Sequence, residues 1–230
     1  MTDSLGVLVD PKGEQVLFKV LGENGEAFHG GTGSWFLPKG SRPGKWMPKI
    51  DNIAACERGY HVVTLAQLPA WLGPTIYEVE VRGDRIDQAD KIVVAQARLV
   101  RRLDWSEKSA RLFAADCAEH VLPIFEKYHP KDTCPRDAIA VARRFANGEA
   151  TRDELDAAWA AARAAARDAA RDAAGAAARD AACAAGWAAA WAAAGAAAGA
   201  AARAAAWAAG WAAEIEWQAQ RFAFYLGVEG

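Results

Sequence analysis

The sequence predicts an α+β domain over residues 1–104 followed by an all-α, alanine-rich helical bundle over residues 105–230. Three observations carry that division. Six of the nine prolines (Pro11, Pro38, Pro43, Pro48, Pro69 and Pro74) fall in the first segment, and none follows Pro135. Short apolar runs with turn residues between them fill the first segment, whereas helix caps and helical spacings organise the second. From Ala157 to Ala213, 38 of 57 residues are alanine, the strongest helix former.

In the first segment Val16-Leu17-Phe18-Lys19-Val20-Leu21 reads as a strand, and Gly22-Glu23-Asn24-Gly25 as the turn after it. Residues 29–49 are rich in Gly, Pro and Trp and read as an ordered loop. Cys56-Glu57-Arg58-Gly59-Tyr60-His61 leads into a further strand. Thr64 and Gln67 form a capping box for a short helix that Gly73-Pro74 closes. Ile76 to Val81 alternates, with Tyr77, Val79 and Val81 on one face and Glu78 and Glu80 on the other. Ala97 to Leu103 is another strand candidate.

In the second segment Ser106 caps a helix that Pro123 ends or kinks. Pro135 suits the first turn of the next helix, Asn147-Gly148 its stop, and Thr151 with Glu154 the capping box of a third. Beyond it Trp159, Arg163, Arg167, Arg171 and their successors keep a four-residue beat as far as Trp211. Such a beat advances about 40° per repeat on an α-helix, so one straight rod would wind its tryptophans through water. Several helices folded together, with breaks near Gly175 and Gly195–Gly199, shelter them better.

The charge balance, 27 basic against 29 acidic side chains, lacks the excess that drives phosphate-backbone binding, so no nucleic-acid partner is expected. Residues 181–202 carry no charge, a length sufficient to span a bilayer, but they lack Leu, Ile, Val and Phe. A packed bundle with no membrane partner is the expectation. Four cysteines without a CxxC pair suit reduced thiols, and the first residues show no secretory signal, so a cytoplasmic location is expected.

Asp116, Cys117, Glu119 and His120 cluster on the first long helix. Cys117 and His120, three apart, are weak metal-ligand candidates, with His129, Asp132 and Cys134 nearest to complete a site. A core cysteine and an Asp116 that pairs with Arg136 or caps a neighbouring helix fit the surroundings better, so no metal is expected. Arg163, Arg167 and Arg171 stand beside Asp168 and Asp172, as on a solvated face.

The run Arg111-Leu112-Phe113-Ala114-Ala115-Asp116-Cys117-Ala118-Glu119-His120-Val121-Leu122-Pro123, followed by Pro135-Arg136-Asp137-Ala138-Ile139, resembles the α-helical immunity proteins of bacterial polymorphic toxin systems over residues 105–230. The resemblance implies a non-enzymatic protein that binds and blocks a protein partner, a toxin or a host defence factor. Asp116, Cys117, Glu119 and Arg136 match its signature. Residues Cys56–His61, Tyr77–Gly83 and Asp90–Val94 are similar to a small phage and prophage domain of unknown function. The Gly-Tyr-His element is also similar to ADP-ribosyltransferase cores, which would make Lys19 or His29, Tyr60 and Glu80 the catalytic positions and NAD the cofactor. No cofactor is expected on the first reading. Self-assembly into a homo-oligomer through the Ala/Trp face is a third expectation.

Overall fold

The structure is a computed structural model and describes residues 8–9, 13–171 and 211–228. The chain divides into two compact units, one of residues 1–105 with 222–230 and one of residues 106–221.

The first unit is built on four antiparallel strands: β1 (Leu17–Leu21), β2 (Tyr60–Val62), β3 (Thr75–Asp87) and β4 (Ile92–Arg102), in the order β1-β3-β4-β2. Alternation sorts their side chains. Leu17, Leu21, Val62, Tyr77, Val79, Ile92, Val94, Ala97 and Leu99 join Trp35 in one core cluster. The intervening Phe18, Ile76 and Val93 are fully buried as well, so the sheet centre is shielded on both faces. Further out, Glu78 pairs with Arg101 at 2.7 Å and Glu80 with Arg98 at 2.5 Å, the cross-strand partners that the register sets opposite them.

The sheet curls into a half-barrel. Register shifts at Glu78/Val79 and Arg82/Arg85 mark bulges that increase the local twist. At its edges Phe18 and Val63 exchange backbone hydrogen bonds of 2.8 and 2.9 Å, so β1 meets the end of β2 at a single bridge. The Gly/Pro/Trp-rich segment is an ordered loop tied along β4, through Gly44 N–H to Leu99, Met47 to Ala97 and Ile50 to Ala95. Thr64 and Gln67 form the reciprocal capping box, but only the 3₁₀ turn Leu68–Ala70 follows it.

Gly59 sets the approach to β2. Its φ of +137° belongs to glycine alone, and a Cβ there would stand 2.4 Å from Val93 Cγ1. Strain and overpacking add, so Gly59→Ala is expected to lower the unfolding free energy by about 2–4 kcal/mol, read by urea denaturation.

The second unit is helical: α1 (Glu107–Tyr128), α2 (Cys134–Ala146), α3 (Arg152–Arg171) and α4 (Trp211–Leu226), the last crossing the division between units at Arg221/Phe222. Ser106 caps α1 by accepting from Ser109 N–H at 3.1 Å. Pro135 opens α2 and Asn147 ends it. Thr151 and Glu154 exchange bonds of 2.7 and 3.2 Å at the start of α3, and these bonds hold the Glu154 carboxyl below its ordinary range.

Pro123 does not end α1. The helix continues to Tyr128 because Val121, Leu122 and Phe125 are buried on either side. Burial of such side chains, each about 1.5–3 kcal/mol, offsets the cost of about 3 kcal/mol for an internal proline. Antiparallel packing of α1 on α2 is visible in its ion pairs, which match Glu126 with Arg136 and Glu119 with Arg143. Leu155, Ala138, Ala142 and Ala162 close a smaller core between α2 and α3. The expected breaks near Gly175 and Gly195–Gly199, and most of the four-residue beat, lie outside the described residues.

Candidate functional site

The signature residues of α1 stand on one side of a charged depression in the helical unit. Asp116 occupies a position in the helix stripe otherwise filled by Phe113, Ala114, Cys117 and Val121, and is only 5% exposed. A carboxylate there requires cations, because an unpaired buried charge is very costly. Two arginines supply them: Arg143 of α2 at 2.6 Å and Arg221 of α4 at 2.5 Å, the latter 105 residues away in sequence. Arg143 also reaches Glu119 at 2.5 Å. One carboxylate thus ties three helices together.

Arg136 is not its partner. The antiparallel register places Arg136 beside Glu126, two helical turns away from the position of Arg143 on α2, and it pairs there. Cys117 is fully buried, and that burial pushes its thiol well above the ordinary range. A thiol so held is a core group and a poor ligand. Among the described residues no three His, Cys, Asp or Glu side chains are grouped to hold a metal ion.

His120 lies one turn beyond Asp116. Its ring stacks on Trp217 of α4 with centroids 3.9 Å apart and planes 9° from parallel. Its Nε2 is 3.2 Å from Glu214 Oε2, while Gln218 donates to Glu214 Oε1 at 2.8 Å. Glu214 is 1% exposed, and burial raises its carboxyl to about 7; burial also holds the His120 imidazole below its ordinary value. Near neutrality Glu214 is partly protonated; it accepts from Gln218 on one oxygen and lies beside the His120 imidazole, without a hydrogen bond to it, beneath a charged rim. Asp116, Glu119, His120, Arg143, Trp217 and Arg221 line the resulting depression of about 570 Å³, open to solvent.

The sign of the pH dependence follows from Glu214. Its carboxyl binds a proton more tightly in the folded chain than in the unfolded one, from 4.5 up to about 7. That contribution to stability is complete below about pH 4.5 and is lost as pH rises towards 7. Glu214→Gln keeps the bond to Gln218 and removes the ionisation. It is expected to be about 1–2 kcal/mol more stable than the parent chain at pH 8 and equal to it near pH 4, in paired urea titrations.

The helical unit now has its relatives. Residues 104–224, just over half the chain, match the family described as "Imm-5 like putative immunity protein". The chain belongs to the Imm-5-like immunity family. Membership of an immunity-protein family implies a protein partner and an interaction or defence role. No curated protein and no solved structure matches the chain. The matched residues of the Imm-5-like segment include the whole rim of the depression, from Asp116 to Arg221.

Before the Imm-5-like segment, the other candidates lie in the half-barrel. Tyr60 packs against the core cluster and donates to the Pro48 carbonyl at 2.8 Å. Glu80, on the opposite face of the sheet, is engaged by Arg98. His29 Nε2 is 2.6 Å from the Trp71 carbonyl oxygen. Lys19 Nζ donates to the His61 carbonyl at 2.9 Å. Each of the four has its own partner, and Tyr60 and Glu80 do not share a face. Among the described residues no helix is long and apolar enough to cross a membrane; the uncharged run 181–202 lies outside them.

Arg143, Glu214, Trp217 and Arg221 are the site residues that sequence reasoning missed. The available signal was the spacing of Glu214, Trp217, Gln218 and Arg221, positions i, i+3, i+4 and i+7, which sets four polar or amphipathic groups on one helix face.

Proposed function

We propose that this chain binds and blocks a protein partner, a toxin or a host defence factor, and that the partner docks on the depression bounded by Glu119, Arg143, Trp217 and Arg221. The observation that carries this reading is the fixed fork of two arginines on Asp116 beside a stacked Trp217. Arginine and tryptophan are the side chains that most often dominate protein interfaces. Here each is held in place before any partner arrives, which reduces the ordering cost of association. Among the signature positions Asp116 and Cys117 act from beneath, one positioning the arginines and one filling the core. Glu119 and Arg136 are exposed enough to meet a partner directly.

The rim carries both signs of charge, Glu119 against Arg143 and Arg221, so the surface it fits also presents both. The test captures a partner on the intact chain, identifies it, and expresses it in cells with and without the chain. Growth or activity is expected to be restored by the parent chain and not by the double variant Arg143→Glu, Arg221→Glu. Failure to retain any protein at stoichiometric level, or equal protection by both forms, would contradict the reading.

A further inference from the structure

A second concave site lies in the half-barrel, where β1 and β2 separate beside the Phe18–Val63 bridge. It encloses about 60 Å³ and is lined by Lys19, Phe28, His29, His61, Trp71 and Lys91, with valines behind them. That space has room for a group the size of a carboxylate head.

Its charge is unbalanced. Lys91 is 8% exposed and pairs with Asp90 at 3.1 Å. Lys19 is part-buried, donates to the His61 carbonyl and stands 5.2 Å from the Trp35 ring; among the described residues no carboxylate pairs with it. One of the two ammonium groups therefore has a carboxylate partner and the other has none among the described residues. Burial lowers Lys19 to about 8, which leaves it mainly charged at neutral pH. His61 adds a ring nitrogen, Nε2, that is buried without a hydrogen-bond partner. Burial first, then Lys19 and Lys91, hold its imidazole below its ordinary value, and in the Nε2–H tautomer that nitrogen can donate to an anion. Unpaired polar groups of this kind in a pocket are costly unless a ligand completes them.

The mouth is aromatic. Phe28, 46% exposed, meets His29 edge-on at 4.9 Å, and His29 meets Trp71 edge-on at 5.3 Å. Trp71 is fixed by its indole N–H to the Asp90 carbonyl at 2.6 Å. Gly73 allows this wall to close up, since a Cβ there would be 2.7 Å from Phe28 Cδ1.

We propose that this seam binds a small aromatic carboxylate, its anionic head between Lys19, Lys91 and His61 and its ring against Phe28 and Trp71. The anion balances the unmatched ammonium by charge-assisted hydrogen bonds, and the flat ring covers an exposed aromatic edge. The site is independent of the helical depression.

Calorimetric titration of the intact chain with benzoate tests it, with benzyl alcohol as the uncharged comparator. One saturable site for benzoate is expected, with benzyl alcohol at least about ten-fold weaker. Lys19→Met and Trp71→Ala are each expected to weaken benzoate by about ten-fold or more, and Glu80→Ala, on the outer face, to leave it unchanged. Lys19→Met replaces a part-buried charge with an apolar chain of similar length, and an unchanged melting temperature will confirm that it folds. Absence of saturable uptake, equal affinity for benzyl alcohol, or full affinity in folded Lys19→Met would overturn the assignment.

Discussion

Asp116→Ala is expected to lower the unfolding free energy by about 3–5 kcal/mol, the largest effect expected of any single charge among the described residues of the helical unit. The substitution leaves Arg143 and Arg221 facing each other across the vacated position, with 31% and 37% of their side chains exposed. Their partial exposure allows water to relieve some of the repulsion, which places the result towards the lower end of that range. Glu126→Ala is the matched control, because its arginine, Arg136, is 60% exposed and the pair is open to solvent. It is expected to cost about 1 kcal/mol or less. Chemical denaturation of the two variants and the parent chain under one buffer decides the comparison. If Asp116→Ala unfolds no earlier than Glu126→Ala, then Asp116 does not hold α1, α2 and α4 together. A partial recovery in the double variant Asp116→Ala, Arg143→Leu is also expected, since it removes one of the two like charges that Asp116 had separated.

Trp217→Ala is expected to weaken the partner complex by about 100- to 1,000-fold, or about 3–4 kcal/mol, while changing the stability of the free chain much less. The indole lies flat on His120 at 3.9 Å and is only half-buried, so part of its surface remains accessible. Truncation removes the aromatic area a partner would cover and releases the imidazole that it orients. Trp217→Phe preserves a stacked ring and is expected to retain most of the affinity, an outcome that a general loss of folding would not give. Titration of the captured partner with the three forms reads the difference, and unchanged affinity in Trp217→Ala would remove this residue from the interface.

The half-barrel was legible because its strands announce themselves locally. Alternation alone assigned Glu78 and Glu80 to the face opposite Tyr77 and Val79, and the capping boxes at Thr64–Gln67 and Thr151–Glu154 formed as their sequences require. What was not legible was long-range. Nothing local says that β1 meets the end of β2 at Phe18–Val63, or that β3 and β4 extend to 13 and 11 residues across bulges. That α1 runs on past Pro123 was not legible for the same reason: the proline's local cost is fixed by chemistry, whereas the burial of Leu122 and Phe125 that outweighs it is tertiary.

The candidate site shows the same division. Asp116, Glu119 and His120 are conspicuous within one helix, so their proximity could be read directly. Their partners could not, because Arg143 depends on the register of α1 against α2, and Arg221 comes from a helix segment 105 residues away from Asp116 in sequence. Arg136 is closer in sequence to Asp116 than Arg143 is, but the antiparallel hairpin reverses that order in space. The four-residue alanine beat gave composition without register, and alanine supplies no large side chain to specify which faces meet.

Hydrogen exchange on the chain with and without its captured partner tests the central claim most directly. Added protection is expected in the segments around Asp116–His120, Arg143 and Trp217–Arg221, with the strands of the half-barrel unchanged. Protection confined to residues of the half-barrel, with the rim of the depression exchanging as in the free chain, would contradict it.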